Sequence, residues 1–380
     1  MQGAPWGGSE ELWSQTATEL KGQGHSVWAS VEAWPQLSNK VTALAQQGIK
    51  IETRFSFQIG RGKRIWSKVS LRRKRIYGRL RRFNPDLVVI SQGQNCEGFE
   101  WSKVCREAGI PYVIILHCNN EFAWFEDSAV GEAAASYAGA HRVFYISRNN
   151  LDLLCLQLGT PLLNVELVRN PYNVSPEGTP PWPDESEGWR LACVARTDLA
   201  AKGQHSLLQI LARPEWRKRP IELSYFGVGP HSQTLRRIAD MLKVKVHFPG
   251  HVADIRAIWE RNHLLLLPSR YEGLPLALVE AMWCARPAVV TDVGSNAELC
   301  ADGETGFVAP SANVSSFSHA LERAWERRME WQQLGQMARA RVENQIPRDP
   351  VLLFGERLKA CVEEVRFSPR GPVRSSVQSE

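Results

Sequence analysis

The sequence predicts an α/β protein built from two doubly wound domains, and three observations support this. The chain has 380 residues, which is too long for one ordinary hydrophobic core. Short apolar runs that suit covered parallel strands alternate with helical patterns. Prolines and acidic residues crowd the stretch 171–188, which is typical of a linker. We therefore expect one domain on each side of this linker.

The composition is that of a globular protein, with 43% hydrophobic residues. No apolar run approaches the ~20 residues that span a bilayer, and the N-terminus lacks the pattern of a signal peptide. We therefore expect a soluble, cytoplasmic protein. The eight cysteines show no C-x-x-C spacing, which predicts reduced thiols and no cysteine metal site.

The first predicted domain covers residues 1–170. The pair Gly7-Gly8 makes a turn into the first helix, for which Ser9 is a candidate N-cap. After it, strands and helices alternate as in a doubly wound sheet. The predicted strands are 25–31, 50–54, 86–91, 112–117, 142–147 and 165–170. The predicted helices are 37–47, 65–83, 97–108 and one that begins near Arg148.

His117 ends a buried strand of this domain. Ligands meet an open α/β sheet at the carboxyl ends of its strands, so a histidine at this point is a candidate site residue. The residues alone leave a structural histidine as the alternative.

The positive charge of the chain is concentrated in one segment. Eleven basic residues and no acidic residue lie between Arg61 and Arg82, and without them the net charge falls from +6 to −5. Within this segment the predicted helix 65–83 has an apolar stripe opposite its basic one. The basic stripe is either a solvated face or a contact with an anionic membrane surface. Nucleic acid is disfavoured because the stripe lacks interleaved aromatics and a recognisable reading module.

The second predicted domain covers residues 189–345 and restarts the alternation. Its first strand, 189–195, delivers Arg196 to its carboxyl end, and Lys202 opens the following helix. The two cations can converge on one diphosphate, although two exposed, unrelated charges are the alternative. Strand, helix and strand follow at 221–227, 231–242 and 244–250, and a turn that contains Val252 comes next.

The stretch 263–299 is the most informative part of the sequence. A strand at 263–269 leads to Glu272 in a loop, and Pro275 then begins a helix that carries Glu280. Such a loop lies at the carboxyl edge of a sheet, where the N–H groups of the helix start suit an anion. Carboxylates cannot bind that anion, so we expect Glu280 and Glu272 to hold hydroxyls of two different sugar rings.

The rest of the chain continues the helical pattern. A glycine-containing return at 303–309 precedes helices near 315–327 and 328–343, and apolar residues recur at helical spacing within 346–366. Residues 367–380 are rich in Ser, Pro and Arg, which predicts a disordered tail.

The segment E-G-L-P-L-A-L-V-E, residues 272–280, is followed by A-M and later by T-D-V-G. With the flanking P-S-R and T-G-F-V, it resembles the E-x7-E signature of family 4 of the retaining glycosyltransferases. Family-like features extend from Gly7 to about Asp349. The resemblance implies the GT-B fold, in which two Rossmann-like domains face each other across a cleft. It also implies that the terminal helix 346–366 crosses back to the first domain.

The resemblance further implies a nucleotide-diphosphate sugar as donor, with neither a metal nor another cofactor. The absence of any D-x-D sequence agrees with this. It assigns catalytic contacts with the transferred sugar to His117 and Glu272. The implied nucleotide-sugar-binding residues are Gly8, Arg196, Lys202, Val252, Gly273, Leu274 and Glu280. The acceptor would be a glycan or a lipid-linked molecule, and residues 61–82 would then meet the inner face of the membrane.

Three features depart from the family pattern. No strand precedes Gly7, so the first strand of the first domain is expected to be missing. Ala285 and Ser295 stand where the family usually has glycine. If residue 285 has a left-handed backbone, alanine costs roughly 1 kcal/mol there.

Three other functions compete with a glycosyltransferase. A GT-B epimerase or phosphorylase would keep the same site. A non-catalytic protein would dock to an anionic membrane or to RNA through the basic segment. A dinucleotide-dependent oxidoreductase is disfavoured, because Gly227 and Gly229 lack the third glycine of G-x-G-x-x-G.

Overall fold

The computed structural model describes residues 6–35, 38–54 and 65–367, with side chains in the helix at 65–83 from Arg73 onward. The chain divides into two compact units. The first unit consists of Met1–Ile146, Leu151–Asn170 and Asp349–Glu380. The second consists of Ser147–Asn150 and Pro171–Arg348.

Helices and strands alternate along the described residues. Up to Leu167 they are α1 (Gly8–Gly22), β1 (Trp28–Glu32), α2 (Asn39–Gln46), β2 (Lys50–Arg54), α3 (Ile65–Phe83), β3 (Val88–Gln92), α4 (Phe99–Ala108), β4 (Tyr112–Leu116), α5 (Asp127–Ala138), β5 (Arg142–Tyr145), α6 (Arg148–Leu158) and β6 (Val165–Leu167). From Trp189 they are β7 (Trp189–Val194), α7 (Leu199–Lys202), α8 (His205–Leu211), α9 (Pro214–Arg217), β8 (Ile221–Phe226), α10 (Ser232–Leu242), β9 (His247–Gly250), α11 (Ile255–Trp259), β10 (Leu264–Leu267), α12 (Leu276–Trp283), β11 (Ala288–Thr291), α13 (Asn296–Leu299), β12 (Gly306–Ala309), α14 (Val314–Glu326), α15 (Trp331–Gln345) and α16 (Pro350–Phe367).

The described strands of the first unit form two separate parallel sheets. One has the order β1-β2 and the other β3-β4-β5-β6. All five residues of β4 are buried, as expected for a central strand covered on both faces. Residues 1–5 lie outside the described residues, so the expected absence of a first strand stays a prediction.

The helix α16 packs within the first unit. Phe354 lies edge-on to Phe144, with ring centroids 5.1 Å apart. Arg357 binds both carboxylate oxygens of Glu166, at 2.6 and 2.7 Å. An aromatic contact and a two-point ion pair together hold this helix against the β5 and β6 side of the sheet.

The second unit contains one parallel sheet with the order β12-β11-β10-β7-β8-β9 in its described residues. The four leucines of β10 are buried, and the strand lies between β7 and β11. The carboxyl ends of β7 and β10 are therefore neighbours. This topology brings the residues that follow β7 close to the loop that follows β10.

Helix α3 confirms the predicted amphipathic pattern in its described part. Ile76 and Leu80 are buried in the first unit, whereas basic side chains occupy the other face. Arg79 Nε lies 2.6 Å from Glu52 Oε1, and Arg73 pairs with Glu107. Carboxylates of the same unit thus neutralise two of the basic side chains. Residues 61–64 of the basic segment lie outside the described residues.

Several local predictions were wrong. Gly7, not Ser9, is the N-cap of α1, and its N–H donates to Glu10 Oε2 at 2.8 Å. Lys202 does not open a helix but ends the short helix α7, whose N-cap Asp198 accepts from Ala201 N. Helix α5 was not predicted, because its alanine-rich sequence carries no clear apolar stripe.

All eight cysteines have free thiols, as predicted, although the Cys96 side chain is exposed. Within the residues that the structure describes, no helix is long and apolar enough to cross a bilayer.

Candidate active site

Two of the predicted site residues, Lys202 and Glu272, form a close ion pair in the second unit. The Lys202 ammonium lies 2.7 Å from both carboxylate oxygens of Glu272. Ser269 Oγ donates to Glu272 Oε1, also at 2.7 Å. The side chains are 22% and 7% exposed, so water screens this pair weakly. The end of α7 and the loop after β10 therefore converge at the carboxyl edge of the sheet.

The loop at Glu272 and Gly273 is fixed through its carbonyl groups. Asn150 Nδ2 donates to the Glu272 carbonyl at 2.9 Å. Ser295 donates to the Gly273 carbonyl through its backbone N–H at 3.0 Å and through its hydroxyl at 2.8 Å. In a planar trans peptide the N–H points opposite to the C=O, so these bonds also orient the N–H groups of Gly273 and Leu274.

Neither of these two N–H groups donates a hydrogen bond within the part of the chain that the structure describes. Two oriented donors thus lie next in sequence to the carboxylate that binds Lys202. Gly294 makes this arrangement possible, because a Cβ on it would stand 2.3 Å from the Glu272 carbonyl oxygen. Its φ of +54° also favours glycine.

Arg196 follows β7 and is oriented by its neighbours. Its Nη2 donates to Asp198 Oδ2 at 2.7 Å, and its carbonyl accepts from Gln204 Nε2 at 2.9 Å. The Arg196 side chain is 36% exposed, so it retains access to solvent. The arrangement can present a planar cation at the same sheet edge as Lys202.

Glu280 lies on α12 and is 3% exposed. Asn173 donates two hydrogen bonds to Glu280 Oε1, from its backbone N–H at 3.1 Å and from Nδ2 at 2.8 Å. Both donors bind the same oxygen, which sets the orientation of the carboxylate. A carboxylate held in this way can accept hydrogen bonds from sugar hydroxyls.

The backbone at Ala285 is left-handed, with φ of 54°, which is the condition under which alanine costs roughly 1 kcal/mol relative to glycine. The Ala285 carbonyl lies so close to helix α15 that a Cβ on Gly335 would stand 2.1 Å from its oxygen. The neighbouring Arg286 is buried and donates to backbone carbonyls, among them those of Trp259 and Pro181. Burial lowers the pKa of the Arg286 guanidinium to about 10. The end of α12 is therefore held rigidly.

In the first unit, His117 follows β4 directly and is 3% exposed. Its Nε2 lies 3.1 Å from Ser91 Oγ. The nearby Asn170 side chain raises the pKa of the ring, but by less than burial lowers it. The ring atom Nδ1 has no well-formed hydrogen bond with any described group. Burial lowers the pKa of His117 to about 3, so the ring is neutral near pH 7. It can exchange hydrogen bonds with a ligand but supplies no positive charge.

Gly8 is the first residue of α1, next to a buried carboxylate. Glu10 accepts from the Gly7 N–H and from Ser9 Oγ, both at 2.8 Å. Burial raises the pKa of the Glu10 carboxyl. A carboxylate that caps the helix competes with an external anion for the same donors. This part of the first unit is better suited to hydroxyl groups than to a phosphate.

The nine predicted site residues are distributed unequally between the units. Gly8 and His117 belong to the first unit, and the other seven belong to the second. Within the second unit the structure joins Lys202 to Glu272 directly. Val252 lies beyond the edge strand β9, and among the described residues no hydrogen bond joins it to the others.

Residue patterns did not reveal three further contributors: Asn150, Asn173 and Ser295. The first two reach the site across 122 and 107 residues of sequence. Ser295 was noted only as a departure from glycine, yet its hydroxyl holds the Gly273 carbonyl. No sequence pattern marks them, since Asn150 lies within helix α6 and Asn173 is an exposed loop residue.

One group of potential metal ligands occurs among the described residues, and it lies outside this site. His141, Cys361 and Glu364 of the first unit have ligand atoms within 4.8 Å of one another. Glu364 Oε2 is bound by His141 Nε2 at 2.8 Å and by Arg142 Nη2 at 3.0 Å. An arginine on the carboxylate disfavours a cation there, so this group is an ion-pair network.

Comparison with known proteins relates the second unit to enzymes of sugar transfer. Residues 189–327 match the family profile described as Glycosyl transferases group 1. The match covers all strands of the second unit, including the loops that carry Arg196, Lys202 and Glu272.

Two curated relatives match over part of the chain. The putative glycosyltransferase EpsD of Bacillus subtilis (strain 168) is 26% identical over 140 residues, which is 36% of this chain and 37% of that protein. The alpha-D-kanosaminyltransferase of Streptomyces kanamyceticus is 31% identical over 128 residues, which is 33% of each protein. The aligned segments thus span about a third of these relatives.

A solved structure resembles nearly the whole chain. The structure of Anabaena HepE in complex with UDP has a TM-score of 0.74 and is 18% identical, over 95% of this chain and 98% of that one. At this level of identity the likeness concerns the fold. It confirms the prediction that the chain has the GT-B fold, an α/β architecture with parallel sheets.

Proposed function

We propose that the protein is a retaining, metal-independent glycosyltransferase of the E-x7-E family 4. It would move a sugar from a nucleotide-diphosphate sugar to a glycan or lipid-linked acceptor. The observation that carries this proposal is the pairing of Lys202 with Glu272 beside the oriented N–H groups of Gly273 and Leu274.

The cations and N–H groups would act on the departing diphosphate. Negative charge builds on this group in the transition state, so fixed positive charge nearby lowers the barrier most. Lys202 and Arg196 supply that charge without a metal, and the two N–H groups add directed hydrogen bonds. Glu272 is the counter-ion of Lys202 in the structure. A bound diphosphate would take over part of this role.

The carboxylates would hold hydroxyls of the donor. Glu280, oriented by Asn173, is assigned to the ribose. The resemblance assigns the transferred sugar to Glu272 and to the neutral His117 of the first unit. The acceptor hydroxyl oxygen would bond to the anomeric carbon on the face from which the diphosphate leaves, as the bond from that carbon to the diphosphate breaks and the hydroxyl proton passes to the departing diphosphate. This step retains the anomeric configuration without an enzyme-bound sugar.

The comparisons support a nucleotide-sugar donor. The two curated relatives are glycosyltransferases by name, and HepE was solved with UDP bound. They do not favour a non-catalytic membrane- or RNA-binding protein. An epimerase or phosphorylase of the same fold differs in its products and is separated by experiment.

We further propose that the basic segment 61–82 contacts an anionic membrane surface. Lys74, Arg75, Arg81 and Arg82 are exposed on the described part of α3. Sedimentation with phosphatidylserine vesicles, compared with phosphatidylcholine vesicles, tests this contact. Equal binding to both would contradict it.

The catalytic proposal is tested with UDP-, GDP- and ADP-sugars in the presence of EDTA. Free nucleotide release that increases with a glycan acceptor, and a product with the anomeric configuration of the donor by NMR, would support it. Inversion of that configuration, or complete loss of activity in EDTA, would contradict it. Release of an epimerised nucleotide sugar would establish an epimerase.

A further inference from the structure

The loop between β4 and α5, residues 117–126, places two aromatic rings in solvent. Phe122 is 84% exposed and Trp124 is 59% exposed. The next ring, Phe125, turns inward and lies 5.9 Å from Phe99 between ring centroids. We call residues 117–126 the aromatic loop. Phe125 anchors this loop, and the two exposed rings take no part in anchoring it.

Buried amide groups hold the aromatic loop in one conformation. Gln157 Nε2 donates to the Asn120 carbonyl at 3.0 Å, and Asn95 Nδ2 donates to Gln157 Oε1 at 2.8 Å. Asn95 Nδ2 also reaches the Ala123 carbonyl at 3.1 Å, and the Phe122 N–H donates to Asn120 Oδ1 at 2.9 Å. The loop is bonded on both sides of Phe122, so its rings are presented by a fixed backbone.

The charges around the rings restrict what can bind. Glu121, Glu126 and Asp127 are exposed, and the sequence has no lysine or arginine between Tyr112 and His141. An acidic surface disfavours nucleic acid, phosphate groups and anionic lipid. The same carboxylates are acceptors for hydroxyl groups. The surface therefore suits a neutral ligand with an apolar face and hydroxyls at its rim.

The aromatic loop also lies at the functional edge of its sheet. It begins at His117, directly after β4, and ligands meet α/β sheets at the carboxyl ends of the strands. A pyranose ring has a face of C–H groups that packs on an aromatic ring and hydroxyls around its edge. We propose that Phe122 and Trp124 stack against a sugar ring of a glycan acceptor. This inference rests on the proposed function and identifies the chemical class of its acceptor.

The variant Phe122→Ala/Trp124→Ala tests the inference without disturbing the loop. The hydrogen bonds that hold the loop at these positions use backbone atoms, which the substitutions retain. Leu163→Ala is the matched control, because Leu163 is 92% exposed in the same unit and lies outside the aromatic loop.

Saturation-transfer NMR with the methyl glycosides of glucose, galactose, mannose and N-acetylglucosamine measures binding. We expect transfer to at least one glycoside in the wild type and in Leu163→Ala, and its loss in the double variant. In turnover assays with that glycoside, the acceptor KM should rise about tenfold or more, while hydrolysis of the donor sugar stays unchanged. Equal transfer in all three proteins, or none in the wild type, would overturn the inference.

Two further arms separate the rival explanations. If the wild type binds phosphatidylcholine vesicles and the double variant does not, the rings contact lipid and the glycan inference is wrong. Nucleotide binding is measured in parallel with UDP, GDP and ADP. If none binds the wild type, the proposed function fails whatever the aromatic loop does. If one binds but glycoside binding is unaffected in the double variant, only the present inference fails.

Discussion

The ion pair between Lys202 and Glu272 allows a quantitative test through the substitution Glu272→Gln. Glutamine keeps the volume and can still accept from Ser269 Oγ, but it removes the negative charge that lies 2.7 Å from the Lys202 ammonium. The variant therefore leaves a mostly buried cation beside a neutral amide. Its effect isolates the charge of Glu272 from its packing.

The expected loss of stability follows from the burial of the pair. Breaking a fully buried ion pair costs about 3–5 kcal/mol, and exposed pairs contribute about 0–1 kcal/mol. With side chains 22% and 7% exposed, this pair lies between these limits, nearer the buried one. We expect a loss of about 2–3 kcal/mol in the free energy of unfolding, or a fall in Tm of about 4–12 °C for a unit of this size.

Urea denaturation followed by circular dichroism measures the loss. Glu260→Gln is the control, because Glu260 pairs with Arg256 at 3.5 Å one helical turn away, with side chains 44% and 40% exposed, and such pairs contribute about 0.3–0.5 kcal/mol. Equal, small losses in both variants would refute the idea that the Lys202 pair is electrostatically important.

Glu272→Gln also predicts a change in binding. Because Glu272 competes with a diphosphate for Lys202, the variant should bind the nucleoside diphosphate as tightly as the wild type or more tightly. Lys202→Met should bind it more weakly. Calorimetric titration measures both, and weaker binding in Glu272→Gln would contradict the assigned competition.

Further predictions concern other residues of the two units. Asn173→Ala removes the 2.8 Å side-chain hydrogen bond to Glu280 but keeps the backbone one. The nucleotide Kd measured by calorimetry should therefore rise about tenfold. An unchanged Kd would show that the Asn173 side chain does not orient Glu280. Gly335→Ala should lower the free energy of unfolding, measured by urea denaturation, by about 2 kcal/mol or more, because the new Cβ would stand 2.1 Å from the Ala285 carbonyl oxygen. This effect is opposite to the usual preference of helices for alanine over glycine. Lys243→Gly should instead raise the free energy of unfolding by about 0.5–1 kcal/mol, since the exposed Lys243 has a left-handed φ of 51° that suits glycine. If both variants changed the free energy of unfolding in the same direction, the backbone argument would be refuted. The pKa of His117 is lowered from 6.5 to about 3, so its neutral form contributes stability that is present above pH 6.5 and is lost as the pH falls toward 3. His117→Gln should remove up to about 1.4 kcal/mol per pH unit from the slope of stability between pH 6.5 and 4, and an identical slope in urea titrations would contradict the burial of the ring.

The stretch 263–299 was predictable because its signals are local. A buried leucine run, a proline at the helix start and a return to a strand pattern predicted the bounds of β10, α12 and β11 to within two residues. Pro275 proved to be the N-cap rather than the first helical residue. The sequence left the backbone conformation at Ala285 open, and the structure shows that it is left-handed.

Lys202 shows where local patterns mislead. Its position before a glycine suggested a helix start, but Asp198 caps a short helix that ends at Lys202, and Gly203 has φ of +60°. A glycine after a helix is the usual stop signal. Asp198, a residue type that is common at helix N-caps, and Gly203 together indicate in the sequence a short helix that ends at Lys202.

Asn150, Asn173 and Ser295 mark the limit of sequence reasoning. Each fixes the orientation of a site group by hydrogen bonds, which Asn173 and Ser295 also donate from their backbone N–H groups. The first two act across more than a hundred residues of sequence. Periodicity and spacing report which face of a helix or strand is buried. They carry no information about which distant carbonyl an amide will reach.

The proposed function requires that Lys202 and Glu280 bind the donor diphosphate and ribose in the second unit. Calorimetric titration of UDP, GDP and ADP in EDTA tests it most directly, using the wild type, Glu280→Gln and the double variant Lys202→Met/Glu272→Gln. The double variant removes both charges of the pair together, so no buried charge is left without a partner. We predict that the wild type binds at least one nucleotide and that both variants bind it at least tenfold more weakly. Equal affinity in all three folded proteins would contradict the claim.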